Sequence, residues 1–424
     1  MSFFLPFLFF LVFSSTISAR FIDKRVQIKI KEAKEQDSTS VIVLSKDLED
    51  KELRKEIQKH HAKIRYKLDI IKAYALEIPC KCIEKFAILP QVDFIADDAT
   101  STTLMDIARP AVGGNKAEQY GLTGKEIGIA ILDTGVYPHA DLALKKNRIV
   151  AFKDFVNGKE FPYDDNGHGT HVAGAAAGNG YMSKGQYQGM APKANIIGVK
   201  VMDKNGSGST SDIVAGMQWI LENKDKYNIR IASLSLGSDP DLLEREDPLV
   251  KGAEALWNAG IIVVAAAGNE GPKQKTINSP GISRRIITVG ATDDHKTIDI
   301  TDDTIADFSS RGPTKEKVIK PDIVAPGVDI QSLATDKQFV PEDKVTRNKF
   351  KTMKKPYTGK SGTSMATPIV SGAIALLLEK KPRLTPDEVK TRLLSTATPI
   401  KNANQYDQGK GQMNLEKMLT ERRR

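Results

Sequence analysis

The chain is predicted to be an α/β protein, a parallel β-sheet with helices on both faces, preceded by a small α+β unit. Residues 127–132, 194–201, 231–236, 261–266 and 286–289 are short, β-branched, apolar runs without alternation, as expected of strands buried on both faces. Amphipathic stretches such as 211–223 and 248–259 lie between them, which is the repeating strand and helix order of a parallel sheet. Upstream, from Arg20 to about Thr100, a more charged segment alternates strand and helix patterns on its own. With 424 residues, 40% hydrophobic and 27% charged, the chain can bury a large core and a smaller second one, and a disordered class is excluded.

At the N-terminus, residues 3–13 are apolar and Ser14-Ser15-Thr16-Ile17-Ser18-Ala19 supplies small residues after them. This is the pattern of a secretory signal over residues 1–19, and the run is too short to span a bilayer. A secreted protein is therefore expected. Within the upstream unit, 40–44 reads as a strand, 48–64 as a charged amphipathic helix, 74–78 as a strand, 83–89 as a short helix and 92–95 as a strand. His60 and His61 are expected on the polar surface of that helix. Cys80 and Cys82, the only cysteines, are one residue apart, which suits neither a disulfide nor, with two ligands, a structural zinc site. Residues 97–106 are small and polar, as expected of an exposed junction, and a cut between Ala99 and Ile107 is expected there.

Further along, residues 369–379 form an almost unbroken apolar run suited to a buried helix. Thr385-Pro386-Asp387-Glu388 places Thr at an N-cap, Pro at the first helical position and Glu at the third, so another helix should begin there. The net charge of +9 comes from dispersed lysines, with no basic stripe and no interleaved aromatics, so neither nucleic acid nor a stable membrane contact is expected. Arg422-Arg423-Arg424 reads as a frayed end.

Three segments carry chemistry. Ser361-Gly362-Thr363-Ser364-Met365 puts the Ser364 hydroxyl at the start of the buried helix, where the helix dipole and free N–H groups favour developing negative charge. Asn166-Gly167-His168-Gly169-Thr170-His171 offers an imidazole base at His168. Ile131-Leu132-Asp133-Thr134-Gly135 ends a buried strand in a carboxylate that is costly to bury unless an imidazole N–H bonds to it. The order Asp133, His168, Ser364 is one of several in which a single nucleophilic triad recurs. A lipase or esterase elbow would need Gly-x-Ser-x-Gly and the order Ser, acid, His, and the chain has neither.

Together with Ala265-Ala266-Ala267-Gly268-Asn269-Glu270-Gly271, these segments resemble the subtilases, the subtilisin-like serine proteases, from about Gly124 to about Leu415. The wording from Ala108 to Gly114 and Phe308-Ser309-Ser310-Arg311-Gly312-Pro313 is most similar to the bacterial and archaeal branch that includes AprX-type enzymes. The upstream unit resembles the inhibitory subtilisin propeptide. The resemblance implies a subtilisin-like fold and a serine endopeptidase that cleaves protein or peptide substrates through an acyl-enzyme on Ser364. It further implies a propeptide over 20–104, acting as an intramolecular inhibitor until removed, and a catalytic domain over 105–424, expected to act as a monomer. Asn269 would supply an oxyanion donor. Gly206, Ser207 and Gly208, with Ser235, Leu236 and Gly237, would form the two edges that hold an extended substrate. Ala266 and Gly268 would wall the first subsite, with Glu270 at its rim, giving a broad preference for large apolar residues that tolerates Lys. His171 is assigned a structural role. No cofactor is required for the chemistry. A structural calcium is common in the family, and Asp141 matches a position that often contributes a ligand, although residues 178–188, which would complete that site, contain no carboxylate. The acidic stretch from Asp293-Asp294 to Asp302-Asp303 is a second candidate, and otherwise a solvated loop.

Overall fold

A computed structural model describes residues 21–22, 24–34, 36–68, 72–97, 105–238, 243–342 and 353–420. The expected signal 1–19, residues 98–104 of the expected junction and Arg422 to Arg424 lie outside the described residues. The chain divides into two compact units, Met1–Thr102 and Thr103–Arg424.

The first unit contains α1 (Lys24–Glu32), β1 (Ser38–Ser45), α2 (Lys51–Lys59), β2 (Lys63–Leu68), β3 (Ala73–Pro79), α3 (Ile83–Ala87) and β4 (Val92–Asp97). Its strands pair antiparallel in the order β2-β3-β1-β4. Val41, Val43, Leu53, Ile57, Leu76, Ile83 and Phe86 fill one core beneath that sheet. Two expectations change. The helix expected over 48–64 ends at Lys59, because His60 forms its C-cap and His61 has φ of 51°. The chain then enters the charged strand β2, in which Lys63, Arg65 and Lys67 alternate with apolar residues and carry on the charged composition of the helix before it. His60 is also less exposed than expected: its Nε2 lies 2.9 Å from Glu56 Oε2 and its ring packs against Phe86. Cys80 and Cys82 are free and buried.

The second unit begins with α4 (Met105–Ala111) and α5 (Lys116–Gln119), then β5 (Gly128–Asp133), α6 (Ala140–Ala143), β6 (Ile149–Asp154), α7 (His168–Ala177), β7 (Asn195–Lys200) and α8 (Thr210–Asn223). There follow β8 (Ile229–Leu234), α9 (Pro248–Asn258), β9 (Ile262–Ala266), β10 (Ile287–Asp293), β11 (Thr304–Ile305) and β12 (Ile323–Pro326). The remainder is β13 (Ile330–Leu333), β14 (Tyr357–Lys360), α10 (Thr363–Lys380), α11 (Pro386–Ser395), α12 (Gln405–Gln408) and α13 (Leu415–Thr420).

Among the described residues the main sheet has eight strands in the order β11-β10-β9-β8-β5-β7-β6, with β12 also on β10. All of its pairings are parallel except the short β10–β11 contact. Strands β5, β8 and β9 are buried along most or all of their length, which is why they read as continuous apolar runs. Strand β6 is not legible as such a run because it sits at the edge, with exposed and half-buried positions through its middle.

Helix α10 packs on α7 and on strands β8, β9 and β10, while α8 and α9 pack on each other and on β5 and β9. From Met365 to Leu378 every position of α10 is buried. At about 1.5–3 kcal/mol for each fully buried large apolar side chain, that helix holds the fold through burial and not through an amphipathic stripe. Thr385 and Glu388 form the expected capping box at the start of α11. No described helix is long and apolar enough to cross a membrane.

Candidate active site

Sheet order places the site. Strand β5 lies between β8 and β7, where the strand order reverses, and in such sheets the crevice beyond the carboxyl ends at the reversal is the usual ligand position. Asp133 is the last residue of β5. In register, Asp133 pairs with Lys200, Leu132 with Leu234, and Leu234 with Ala265. The loops carrying Ser207, Ser235 and Asn269 therefore leave from strand ends that share one edge of the sheet.

Helix α7 begins at His168 on the same side. Its first turn is pressed against the end of β5: a Cβ on Gly169 would lie 2.2 Å from Gly135 O and 2.9 Å from Asp133 Cβ, so only glycine fits. Gly167, the N-cap, has φ of 102°, a left-handed conformation that also favours glycine. In this arrangement His168 Nδ1 donates to Asp133 Oδ1 at 2.7 Å, and the Thr134 N–H donates to the same oxygen at 2.7 Å. Asp133 is fully buried and the His168 side chain is 27% exposed, so one nitrogen of the imidazole is anchored while the ring still reaches the surface. Burial draws the His168 pKa down, but the Asp133 carboxylate, by its charge and its hydrogen bond, outweighs burial and leaves it raised.

Asp164 holds this geometry, and the sequence reading does not single it out. Its carboxylate accepts from Thr134 Oγ1, from the Asn166, Gly167 and Thr170 N–H groups, and from Thr170 Oγ1, at 2.6 to 3.1 Å. One buried carboxylate thus ties the residue after Asp133 to the first turn of α7. Its signal is an Asp three residues before a helix N-cap, bonding N–H groups two and three residues on, a common turn pattern. Lys200, also buried, donates to Asp165 Oδ1, Thr134 O and Met202 O at 2.7 to 2.8 Å and fixes the same loop from behind.

Ser364 is the second residue of α10. Its Oγ donates to Ser235 O at 3.2 Å, and Ser235 Oγ donates in return to Ser364 O at 2.9 Å. The Ser364 hydroxyl rests on this neighbouring strand end, with its hydrogen bond made to a carbonyl and not to the imidazole. Asn269 is exposed, and its Oδ1 accepts from Thr363 N at 2.9 Å.

His171 is buried, and its Nε2 donates to Ile330 O at 2.8 Å and Thr358 O at 3.1 Å, joining α7 to the β13–β14 hairpin. Burial pushes its pKa down to about 3, so it stays neutral.

Several subsite expectations need correction. The Leu236 side chain belongs to the main core, so only its backbone is available to a substrate. At Gly268, with φ of 110°, the space a side chain would take is filled by Glu270, Asn278 and Ser310. Glu270 is exposed and its carboxylate is held in place, with Oε2 accepting from Ser310 Oγ at 3.0 Å and Oε1 from Asn278 Nδ2 at 3.3 Å. Ala266 is buried. Gly206 and Ser207 lie in a tight turn after β7, in which the Asp203 N–H donates to Ser207 O at 2.7 Å, and Gly208 packs against Val201 O.

Asp141 does not fit a calcium ion. Its buried carboxylate accepts from Tyr357 Oη at 2.7 Å and from Met182 N at 3.0 Å. A cation needs oxygen lone pairs converging on it, whereas here protons point at both oxygens. Among the described residues no three His, Cys, Asp or Glu side chains converge as a metal site.

The family model described as the subtilase family, peptidase S8, matches residues 124–414. The chain is 46% identical over 348 residues to the serine protease AprX of Bacillus subtilis (strain 168), covering 81% of this chain and 76% of that one. It is 34% identical over 310 residues to subtilisin DY of Bacillus licheniformis, covering 72% and 96%. Among solved structures, Sphericase matches with a TM-score of 0.55 at 31% identity, covering 69% of this chain and 92% of the other. An S41 psychrophilic protease matches with a TM-score of 0.57 at 30% identity over the same shares.

Proposed function

The chain belongs to the subtilase family of serine endopeptidases, and from that premise we propose that Ser364, His168 and Asp133 hydrolyse peptide bonds as nucleophile, general base and orienting carboxylate. The observation that carries this reading is the 2.7 Å bond between His168 Nδ1 and Asp133 Oδ1, which sets the tautomer with Nε2 free to accept a proton. A substrate carbonyl entering between the two strand-end loops draws the Ser364 hydroxyl from Ser235 O. As Oγ attacks the carbonyl carbon, His168 Nε2 takes its proton. The oxyanion accepts from Asn269 Nδ2 and from the Ser364 N–H at the start of α10. Collapse expels the amine, which receives the proton from His168, and leaves an acyl-enzyme. Water, deprotonated by the same imidazole, then releases the acid.

The glycine-rich turn Gly206-Ser207-Gly208 and the segment Ser235-Leu236-Gly237 would hold the substrate through backbone pairing. The protein would be secreted after loss of residues 1–19 and matured by cleavage between Ala99 and Ile107, with 20–104 acting as its own inhibitor until then. A monomer acting on protein or peptide substrates fits this reading.

The test is labelling with a fluorophosphonate probe, followed by N-terminal sequencing of the purified product. The probe should mark Ser364, and Ser364→Ala should give an unlabelled, unprocessed precursor. Self-processing of Ser364→Ala at the normal rate would refute the assignment, and failure of the native chain to react would make it a silent member of the fold.

A further inference from the structure

At the far edge of the main sheet, the β10–β11 pairing sets Thr292 opposite Ile305 and Asp293 opposite Thr304. Asp294 follows and Asp303 precedes that last pair, and they lie close enough for the charge of Asp294 to be felt at Asp303. Both are buried, at 2% and 4% exposure. Asp294 Oδ1 accepts from the Lys296 N–H at 3.1 Å, but Asp294 Oδ2 and both Asp303 oxygens have no hydrogen-bond partner. Gln412, 1% exposed, sits beside Asp303 and eases its ionised form, yet neither of its amide atoms makes a hydrogen bond of acceptable geometry. Thr292 Oγ1, two residues before Asp294, is likewise buried and unpartnered.

Buried polar atoms left unpaired are rare, and besides Asp294 Oδ2 there are five of them on Asp303, on Gln412 next to it and on Thr292 two residues before Asp294: both Asp303 oxygens, both Gln412 amide atoms and Thr292 Oγ1. No described Lys or Arg makes an ion pair with Asp294 or Asp303, and Lys296 is drawn instead to Asp329 at 3.6 Å. Two ionised carboxylates without a counter-charge would be expensive to bury. We infer that Asp294 and Asp303, with the Gln412 amide oxygen and the Thr292 hydroxyl, form a divalent cation site that fits calcium. The donors are all hard oxygens, two charges balance two charges, and buried side chains that offer direct ligands suit calcium better than the more tightly hydrated magnesium. The site would tie down β11, which leads into Ser310, whose N–H donates to Gly268 O at 3.0 Å beside Asn269.

The competing explanation is a proton shared between the carboxyls. Burial, the largest cause, and neighbouring negative charge push Asp294 up to about 6 and Asp303 up to about 7. Raised carboxyl pKa values stabilise the fold below the unfolded value, and that contribution is lost as pH rises through about 6 to 7. The charged and titratable neighbours are Asp293, His295 and Lys296 on the β10 side and Asp302 on the β11 side.

The experiment is calorimetric melting and equilibrium calcium binding on the full chain carrying Ser364→Ala to prevent self-cleavage, after exhaustive EDTA treatment, at pH 8. Calcium chloride at about a hundred times its dissociation constant should raise the midpoint by about 3 °C, and magnesium chloride by far less. Asp303→Asn should lose that rise and the stoichiometric calcium. Gln412→Glu, which adds a third carboxylate, should lower the midpoint in EDTA and tighten calcium binding about tenfold or more, and it decides the matter if Asp303→Asn does not fold. An equal calcium shift in the native and Asp303→Asn chains would overturn the proposal. So would no shift at all, with a midpoint that falls between pH 5 and 8, which would mean a shared proton.

Discussion

Asn269 Oδ1 accepts the backbone N–H of Thr363, the residue immediately before Ser364, at 2.9 Å. That bond turns the amide so that its oxygen faces the chain and its Nδ2 faces outward, where no described acceptor holds it. The proposed oxyanion donor is therefore aimed by the same segment that presents the nucleophile.

Removing the donor should cost turnover and leave binding alone. Asn269→Ala is expected to lower kcat by about 10²- to 10³-fold with KM little changed. Asn269→Asp keeps the acceptor for Thr363 but replaces the donor with a negative charge, so it should fall at least as far. Steady-state kinetics on a peptide substrate check both, and an Asp variant with near-native kcat would remove Asn269 from the oxyanion site.

The Asp133–His168 pair sets a pH profile. Because the His168 pKa is raised above 6.5, the acid limb of kcat/KM should lie above that value. Asp133→Asn removes the partner, so the limb should move toward lower pH while turnover drops by about 10⁴-fold. The raised pKa also contributes stability that is fully present below 6.5 and lost as pH rises through the folded-state value. Melting of Asp133→Asn should accordingly show its larger deficit at about pH 5 and its smaller one at about pH 8. Equal deficits would mean the pair is not linked to protonation.

Selectivity should depend little on Glu270. Its carboxylate is already engaged by Ser310 and Asn278, and an exposed charge attracts a cation by about 1 kcal/mol or less. Profiling on a peptide library should show a preference for large apolar residues before the scissile bond, with Lys tolerated, and Glu270→Gln should change the Lys to Leu ratio less than about fivefold. An absolute demand for Arg, Lys or acidic residues would show a charge in the pocket that this reading lacks.

Tyr357→Phe tests the use of Asp141. The phenol bond would be lost and Asp141 Oδ2 left buried and unpaired, at a cost of about 1–3 kcal/mol. Denaturant melting should show that loss, and added calcium should not restore it. Restoration by calcium would reopen Asp141 as a ligand.

Much of the fold was legible because burial writes itself into the sequence. Strands β5, β8 and β9 are covered on both faces and appear as apolar runs, and α10 is apolar all round because it is enclosed all round. Asp133, His168, Ser364 and Asn269 stood out because each lies at a strand end or helix start with small residues about it. For Asp133, His168 and Ser364 the residue types and their order suggested the chemistry, while the role of Asn269 came from the resemblance to the subtilases. The edge elements β2 and β6 were not legible, since an edge strand is not covered on both sides and its sequence mixes charged with apolar residues instead of forming an apolar run.

What only the tertiary structure decided are the partnerships across long separations, because a hydrogen bond depends on where chains meet and a residue's name does not encode its partner. Asp164 bonding to Thr134, Thr363 aiming Asn269, and Ser364 resting on Ser235 each join segments at least thirty residues apart. The same is true of the acidic positions read as possible metal ligands. Asp141 is satisfied by Tyr357, 216 residues away, and Asp303 is left with unpaired oxygens beside Gln412. Asp141, Asp294 and Asp303 look alike in the sequence, and only packing separates the one with donors at both oxygens from the two that keep unpaired oxygens.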